Sequence, residues 1–422
     1  MEVHVERACG LDVHQATAVA CVLYGKPGHN PEKVTRTFAT TRKSLQELRD
    51  WLKSLNVTHV VMEGTGVYWI PIHEILEDHF DVWIVNARHV KKVPGRKTDV
   101  SDAHWLASLL RVGLLRKSFV LDKPIRPIRD LSRYRRMLVQ SETTEKNRII
   151  KLLEIVGIKL ASVASDVFGK SGMAMIRALA AGNVSLEAML QLARGRMRSK
   201  LPELRLALDV GLREHHRSML RDQLARLDRT SEEIARYDQQ LSVLVQQYAE
   251  QIDLLCTIDG VKTTAAIEIF AEVGPNLSSF PDDHHFASWV GTCPGNNESA
   301  GKRTKARRRR GNRYLQSILV ECALAASKKK RTYLKDKYHR LKARRGSMRA
   351  LFAVAHKLAR SVHRVLTTAK PYKDLGDKYL DLRRRPVIAR TLAARLRALG
   401  YDRNSVQELF PLQPLALEAS NP

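Results

Sequence analysis

The stretch RACGLDVHQATAVACVLYGKPG, from Arg7 to Gly28, decides the fold that the sequence predicts for the N-terminal region. Its residues are mostly small or β-branched, and the alternation at Val19, Cys21 and Leu23 has the two-residue period of a strand. Polar residues interrupt the apolar run just after Val13, so two strands are expected here. The glycines and proline at the end of the stretch predict a turn.

The segments that follow predict a mixed α/β domain over residues 1–115. Ser44 and Glu47 form a capping-box pattern, which predicts the start of an amphipathic helix. The other expected elements are a strand at Val34–Ala39, a strand at Thr58–Met62, a helix near Pro71–Asp78, a strand at Phe80–Val85 and a helix at Asp99–Leu110. Strands followed by alternating helices and strands are typical of an α/β domain with a mixed sheet.

Residues 116–252 lack strand alternation and are rich in Leu, Ala, Arg, Glu and Gln, which predicts a helical middle region. One part of it carries a seam of apolar residues at spacings of three, four and seven: Leu220, Leu224, Leu227, Ile234, Tyr237, Leu241, Leu244 and Tyr248. Such a seam is typical of a coiled coil and predicts a dimer or tetramer contact. A helical hairpin packed within one chain explains the same spacing.

The rest of the chain divides into a mostly helical domain, residues 253–370, and a basic tail, residues 371–422. The helical domain begins with a glycine-containing turn that opens a helix and later contains a strongly basic loop. The tail is rich in Arg and Leu, and Pro386, Pro411 and Pro414 are expected to break it.

The charge of the chain is concentrated in its C-terminal part. Lys and Arg number 72 against 44 Asp and Glu, a formal net charge of +28. Residues 1–110 hold 13 basic and 13 acidic side chains, whereas residues 301–390 hold 29 basic and 5 acidic ones. Phosphates attract such a polycation through the release of counterions. A nucleic acid is therefore the expected partner.

Other features of the composition exclude several classes of protein. No apolar stretch is long enough to span a membrane, and the first residues contain no apolar signal segment, so a cytoplasmic, nucleoid-associated protein without a membrane partner is expected. The five cysteines show no CxxC spacing. We therefore expect reduced core cysteines rather than a zinc site or a disulfide framework.

Four acidic residues form the candidate metal site. Asp12 follows a predicted strand, Glu63 follows the apolar run HVVM, and Asp99 and Asp102 are three apart at the start of a predicted helix. Carboxylates in this number suit Mg²⁺ or Mn²⁺, and two such ions support phosphodiester chemistry. The alternative is that Asp99 is a helix cap and Asp12 a turn residue.

Five stretches of this sequence resemble a known family, the RNA-guided DEDD transposases of bacterial and archaeal insertion sequences called the one-ten family. They are GLDVH at 10–14, MEGTGVYW at 62–69, RKTDVSDAHWLASLL at 96–110, IDGVKTTAA at 258–266, and WVGTCPGNNESAGKRTKARRRRGNRYL at 289–315. The resemblance implies a RuvC-like (RNase H-like) N-terminal domain and a separate, mostly helical transposase domain. It spans about residues 8–365.

The resemblance also implies the chemistry. Asp12, Glu63, Asp99 and Asp102 correspond to the metal site of the family, and Ser299 corresponds to its nucleophile. The implied reaction is attack of Ser299 on a DNA phosphate to give a phosphoserine link. Strand exchange between double-stranded donor and target DNA then follows, directed by a structured guide RNA. The family serine is commonly followed by two glycines, and Ala300 takes the place of the first one here.

Basic residues around the serine are the candidate contacts to nucleic acid. A serine hydroxyl is a poor nucleophile, and cations beside it can bind the scissile phosphate. IDGVK resembles half of a helix-hairpin-helix, with a lysine where the second glycine is usual. The candidate contacts are Lys262, Lys302, Arg303, Lys305, Arg307, Arg308, Arg309, Arg310 and Arg313.

Two other functions remain open from the residues alone. A metal-dependent junction nuclease would use the four acids without any serine chemistry. A non-catalytic RNA-binding scaffold would use only the basic residues, with the acids as caps and turn residues.

Overall fold

The computed structural model describes residues 4–25, 30–64, 66–90, 93, 101–294, 298–299, 302–303 and 311–401. The chain forms two compact units, Met1–Val120 and Leu121–Pro422. They are called the first and the second unit below.

The first unit is a five-stranded sheet with helices on both faces. Its elements are β1 (Arg7–Val13), β2 (Thr17–Tyr24), β3 (Glu32–Ala39), α1 (Arg42–Ser54), β4 (His59–Glu63), α2 (Trp69–Leu76), β5 (Asp81–Val85), α3 (Ala87–Val90) and α4 (Asp102–Arg111). The strand order is β3-β2-β1-β4-β5. The first three strands pair antiparallel, while β4 pairs parallel with both β1 and β5. The predicted mixed-sheet α/β architecture is confirmed.

The two faces of the sheet have separate cores. Cys9 and Leu11 of β1 are fully buried in the core that α1 and α2 cover. Ala8 belongs to the core on the opposite face, which α4 covers through residues such as Leu106 and Leu110. The alternation along β1 thus assigns its even-numbered residues to the α4 face.

Gly10 allows α4 to lie directly on the sheet. A Cβ atom at Gly10 would come within 2.1 Å of the carbonyl oxygen of Ala103 and 2.6 Å of the amide nitrogen of Ala107. Any side chain would therefore push the helix away from β1.

Two helix starts differ from the prediction. Helix α1 begins at Arg42 after the N-cap Thr41, so the capping box at Ser44 is wrong; the Ser44 hydroxyl instead accepts a hydrogen bond from the Ala39 amide at 3.1 Å. Only two residues separate the end of β3 from the start of α1, so Ser44 lies close enough to bond to the last residue of the strand. Helix α4 begins at Asp102, not at Asp99, because Ser101 is its N-cap and accepts from the His104 amide.

The described residues of the second unit form helices and one small hairpin. Its elements are α5 (Arg126–Ile155), α6 (Leu160–Val163), α7 (Lys170–Ala181), α8 (Leu186–Gln191), α9 (Leu201–Leu208), α10 (Glu214–Val245), α11 (Ala249–Cys256), α12 (Thr263–Val273), α13 (Asp283–Val290), β6 (Glu298–Ser299), β7 (Lys302–Arg303), α14 (Arg313–Ala326), α15 (Tyr333–Arg345), α16 (Ser347–Thr368), α17 (Tyr379–Arg383) and α18 (Arg385–Ala398). Short 3-10 turns precede α5, α9 and α11.

The apolar seam lies on α10, except for Tyr248 in the 3-10 turn that follows, and α10 packs against α5 of the same chain. The rings of Tyr237 and Tyr134 are 5.0 Å apart, and Ser231 donates a hydrogen bond of 3.0 Å to Glu142. Leu220 and Leu224 are buried in a core shared with the short helices between α5 and α10. The helical-hairpin alternative therefore accounts for the seam, and the oligomer contact stays a prediction.

The turn before α12 packs tightly on α14. Gly260 has φ +87°, and a Cβ atom there would lie 2.3 Å from the carbonyl oxygen of Cys322. All five cysteines are free thiols; Cys9, Cys21 and Cys322 are buried, whereas Cys256 and Cys293 are half-buried. Burial raises the pKa of Cys322 to about 12.

The described part of the predicted basic tail, residues 371–401, contains two helices. Pro386 lies in the first turn of α18, directly after the break between α17 and α18 at Arg384. A proline is tolerated there because the first amide groups of a helix have no partner within the helix. Pro411 and Pro414 lie outside the described residues. No helix in the described part of the chain is long and apolar enough to cross a membrane.

We predict that Gly10→Ala destabilises the first unit by about 1–3 kcal/mol, because the added methyl group overpacks a backbone contact. Four of the five tryptophans belong to this unit, so urea unfolding followed by tryptophan fluorescence measures it. Gly211→Ala is the control, since its Cβ atom would have no neighbour within 4 Å. Equal midpoints for the two variants would contradict the prediction.

Candidate active site

Asp12 and Glu63 lie at the same level on neighbouring parallel strands. The last parallel pair of β1 and β4 is Leu11 with Met62, and the two acids are the next residues on each strand. The alternation of the strands assigns both acids to the α4 face. Asp12 is 32% exposed, and its Oδ2 lies 3.3 Å from His14 Nε2.

Helix α4 brings Asp102 to the same end of the sheet. The Arg111 carbonyl accepts hydrogen bonds from the amides of His4 at 2.8 Å and Val5 at 3.3 Å, so the C-terminus of α4 lies at the beginning of β1. Its N-terminus therefore lies toward the end of β1, where Asp12 follows Gly10. Asp102 is the first residue of the helix.

The structure thus brings three of the four predicted acids to one face and one end of the sheet. Asp99 lies outside the described residues. Within the described ranges, no group of three or more His, Cys, Asp or Glu side chains is close enough to hold a metal ion. The oxygen donors of Asp12, Glu63 and Asp102 fit a hard divalent cation in chemical type. That the four acids form one ligand set stays a prediction.

Ser299 is part of a small hairpin in the second unit, where it ends the first strand. Strands β6 and β7 pair antiparallel, with Ser299 opposite Lys302 and Glu298 opposite Arg303. Ser299 is the last residue of β6. The side chains of these four residues are not among those described. The predicted contacts Lys305, Arg307, Arg308, Arg309 and Arg310 lie outside the described residues.

The hairpin belongs to the segment 292–310, which we call the arm. The two glycines that flank the arm, Gly291 and Gly311, lie in contact with each other. A Cβ atom at Gly311 would lie 2.5 Å from the amide nitrogen of Gly291, so only glycine allows this crossing. The Asn312 amide donates to the Trp289 carbonyl at 3.3 Å, and Gln316 Nε2 donates to the Gly291 carbonyl at 2.7 Å. These contacts fix the root of the arm against α13 and α14.

A buried carboxylate, Glu272 of α12, holds the arm root. Its side chain is 3% exposed and accepts two hydrogen bonds from Arg133, at 2.7 and 2.8 Å, and one from Asn312 Nδ2 at 2.6 Å. Burial of the Arg133 guanidinium opposes its charge, but the bonds to Glu272 outweigh burial and raise the pKa of Arg133. The same guanidinium lies 4.3 Å over the Tyr314 ring.

Sequence reasoning missed Arg133, Glu272 and Asn312. No motif marks Arg133 or Glu272, which look like ordinary surface residues in the sequence, and Asn312 lies in the family stretch 289–315 without an assigned role. Only the pairing of a buried acid with an arginine far along the chain reveals their role.

Lys262 and Arg313 are the predicted contacts whose side chains the structure describes. Lys262 is the exposed N-cap of α12 and lines a groove of about 1080 Å³ between α5, α12 and α14. This groove contains both signs of charge: Arg135 and Arg136 bond to Glu268, whose pKa is raised by burial despite these partners. Arg313 donates to the Tyr314 hydroxyl at 3.1 Å.

Two family models match the chain. The DEDD transposase model of IS110, described as a transposase, matches residues 9–158, which include the four acids. The model described as the transposase IS116/IS110/IS902 family matches residues 252–339, which include the arm and Lys262. No curated protein matches the chain. The two models name one family and together cover more than half of the sequence.

The matches account for both units. The mixed sheet of the first unit is the RuvC-like domain of a DEDD transposase, a domain type that depends on divalent metal ions, and the second match contains the arm. DNA is the substrate of such an enzyme, which catalyses strand transfer. This chain therefore belongs to the IS110 family of insertion-sequence transposases.

Proposed function

We propose that this transposase cuts and rejoins DNA through a phosphoserine link to Ser299, supported by metal ions held by four acids. The observation that carries the proposal is the position of Ser299 at the end of β6, opposite Lys302, on an arm whose root is fixed by buried hydrogen bonds. A nucleophile needs a defined position, and a cation beside it can bind the phosphate under attack.

The serine step exchanges one phosphodiester bond for another. The Ser299 hydroxyl oxygen forms a bond to phosphorus, and the bond from phosphorus to one deoxyribose oxygen breaks. The proton lost by the serine balances the proton gained by the departing DNA hydroxyl. A second DNA hydroxyl then attacks the phosphoserine and releases the enzyme, so rejoining needs no external energy source. Lys302, Arg303 and Lys305 supply the positive charge beside the phosphate.

Asp12, Glu63, Asp99 and Asp102 hold the metal ions in this proposal. Support comes from the shared level of Asp12 and Glu63 and from the antiparallel course of α4 along β1. Bound Mg²⁺ or Mn²⁺ ions would stabilise charge on the phosphate oxygens. The carboxylates themselves orient and neutralise the cations.

A structured guide RNA and a homo-oligomer, a dimer or tetramer, complete the proposal. The resemblance to RNA-guided transposases supports the guide, and the charge of residues 301–390 is large enough to bind RNA as well as donor and target DNA. A guide RNA is expected to copurify with the enzyme when the flanking non-coding DNA is expressed with it.

A junction nuclease that uses the acids alone is the second candidate. The observation in its favour is that Asp12 and Glu63 lie at one level on the sheet independently of the arm. The two candidates differ in whether a covalent protein–DNA adduct forms.

We expect Ser299→Ala to abolish the covalent adduct while DNA binding remains within about twofold, because only the nucleophilic oxygen is lost. The adduct is measured with labelled DNA on a denaturing gel. Ser279→Ala, at an exposed loop residue, is the matched control and is expected to keep full adduct formation. An adduct formed by Ser299→Ala would exclude this serine as the nucleophile, and cleavage without an adduct in the parent enzyme would favour the nuclease.

Removing a metal-site carboxylate is expected to reduce DNA cleavage. Asp12→Asn and Asp102→Asn should each lose about 100-fold or more in cleavage rate, since a metal ion contributes several kcal/mol of charge stabilisation. The measurement is the cleavage rate as a function of Mg²⁺ and Mn²⁺ concentration. Asp50→Asn is the control, because Asp50 is exposed on α1, which covers the opposite face. Unchanged cleavage rates for both variants would contradict the proposal that these acids hold catalytic metal ions.

The basic loop should determine part of the salt dependence of DNA binding. Arg309→Gln with Arg310→Gln is expected to make the slope of log K against log salt concentration shallower by about 1.8, because each phosphate contact contributes about 0.9. The control pair, Arg42→Gln with Lys43→Gln, removes the same charge from exposed positions in the first unit. An equal change for both pairs would show that net charge alone acts.

A further inference from the structure

A cavity of about 470 Å³ lies between α16 and the segment that follows it, and we call it the α16 cavity. Helix α16 contributes Lys357, Arg360 and Arg364, which are spaced by three and four residues and so share one helix face. The segment Lys370–Leu375 forms the opposite wall and adds two more lysines. Its lining shares no residue with the groove at Lys262.

The cavity holds more positive than negative charge. Its lining contains five cationic side chains and only two carboxylates, Asp283 and Asp374. Asp283 accepts a hydrogen bond of 2.9 Å from Arg360 Nε. Asp374 accepts from the amides of Tyr333 at 3.2 Å and Gly376 at 2.8 Å, so it holds the backbone at the start of α15.

The remaining cations of the lining differ from Arg360 in their surroundings. In the part of the chain that the structure describes, no carboxylate lies within ion-pair distance of Lys357, Arg364, Lys370 or Lys373. Of these four, Lys357 is half-buried and the other three are exposed. One half-buried cation and three exposed ones therefore line the cavity.

The charges in this region repel one another. Burial, and then the charge of Arg360, lower the pKa of Lys357, although Asp283 acts in the opposite direction. Burial and the charges of Lys357 and Arg360 also lower the pKa of Lys337 on α15. The neighbouring His356 has its pKa lowered to about 4 by burial and by the same two cations. Crowding of like charges costs folding free energy, and a bound anion offsets that cost.

We propose that the α16 cavity binds a phosphate group of a nucleic-acid strand together with its adjoining nucleotide. Guanidinium and ammonium groups are the side chains that recognise phosphate. A volume of about 470 Å³ falls within the range of sites that enclose a small organic molecule, so the cavity accommodates more than the phosphate alone. Tyr372 and Leu375 in the wall offer apolar surface for a sugar or base.

This inference rests on the nucleic-acid substrate of the family and not on the serine chemistry. The cavity would fix a strand at a place remote in sequence from Ser299. Failure of the phosphoserine proposal would therefore leave it intact, because Ser299→Ala should bind as tightly as the parent protein in the assay below.

The test uses the full-length protein and two double variants of equal charge. Lys357→Gln with Arg364→Gln removes two cations from the cavity, and Arg344→Gln with Arg349→Gln removes two exposed cations outside it. Fluorescence anisotropy measures binding of single-stranded DNA, double-stranded DNA and single-stranded RNA at several salt concentrations. We expect the cavity variant to bind at least one probe about tenfold more weakly than the control variant, with a salt slope shallower by about 1.8.

The probe that loses affinity identifies the source of the phosphate. A loss for DNA alone assigns the cavity to a substrate strand, and a loss for RNA alone assigns it to an RNA partner. Equal affinities and slopes of the two double variants for all three probes would overturn the proposal.

A second double variant separates a loss of binding from a loss of folding. Lys370→Gln with Lys373→Gln changes two exposed residues on the segment wall and is expected to weaken the same probe by about threefold or more. Thermal unfolding adds an independent readout. Without nucleic acid, the Lys357→Gln and Arg364→Gln protein should unfold no earlier than the parent, because repulsion is relieved. An earlier transition, together with parent-like binding by the Lys370→Gln and Lys373→Gln protein, would also overturn the proposal.

Discussion

The direct packing of α4 on β1 at Gly10 is the contact on which the geometry of the first unit depends. With no side chain at this position, the helix backbone lies against the strand. The Arg111 carbonyl at the end of α4 accepts hydrogen bonds from the amides of His4 and Val5, just before β1. The helix must then run antiparallel to the strand. Its first residue, Asp102, consequently lies at the end of the sheet where Asp12 and Glu63 follow paired apolar residues. A larger residue at position 10 would disturb the core and the position of Asp102 together.

In the second unit, buried ion pairs hold the helices in position, whereas close backbone packing does so in the first unit. Glu268 and Glu272 on α12 are both largely buried and bond to arginines of α5. Breaking such a pair leaves an uncompensated charge, so the arrangement strongly favours one relative position of the helices. Asn312 joins this network and also caps α14, which connects the arm root to the helical body. These contacts fix the two ends of the arm against α13 and α14.

The charge of the chain is arranged in two ways in the second unit. Around α12 the arginines are matched by acids and stabilise the fold. Around α16 the cations outnumber the acids, and the available carboxylates are engaged by Arg360 and by backbone amides. Matched charges belong to the internal structure, whereas unmatched ones are suited to an external anion. The composition gives the total excess, but only this distinction locates where a phosphate can bind.

The sequence by itself determined most of the secondary structure and the chemical type of the site. Alternation at Val19, Cys21 and Leu23 predicted β2, and the family stretches predicted the acids and the serine, because both signals are local. The apolar spacing of α10 could be recognised in the sequence, but its contact with α5 could not. Contacts within one chain and contacts between chains produce the same spacing of apolar residues. The capping box at Ser44 was wrong because the tight connection from β3 outweighed the local preference. The shared level of Asp12 and Glu63, the crossing of Gly291 and Gly311, and the burial of Glu272 were decided only by tertiary structure. Each of these depends on residues far apart in the chain, and no local pattern encodes their distance.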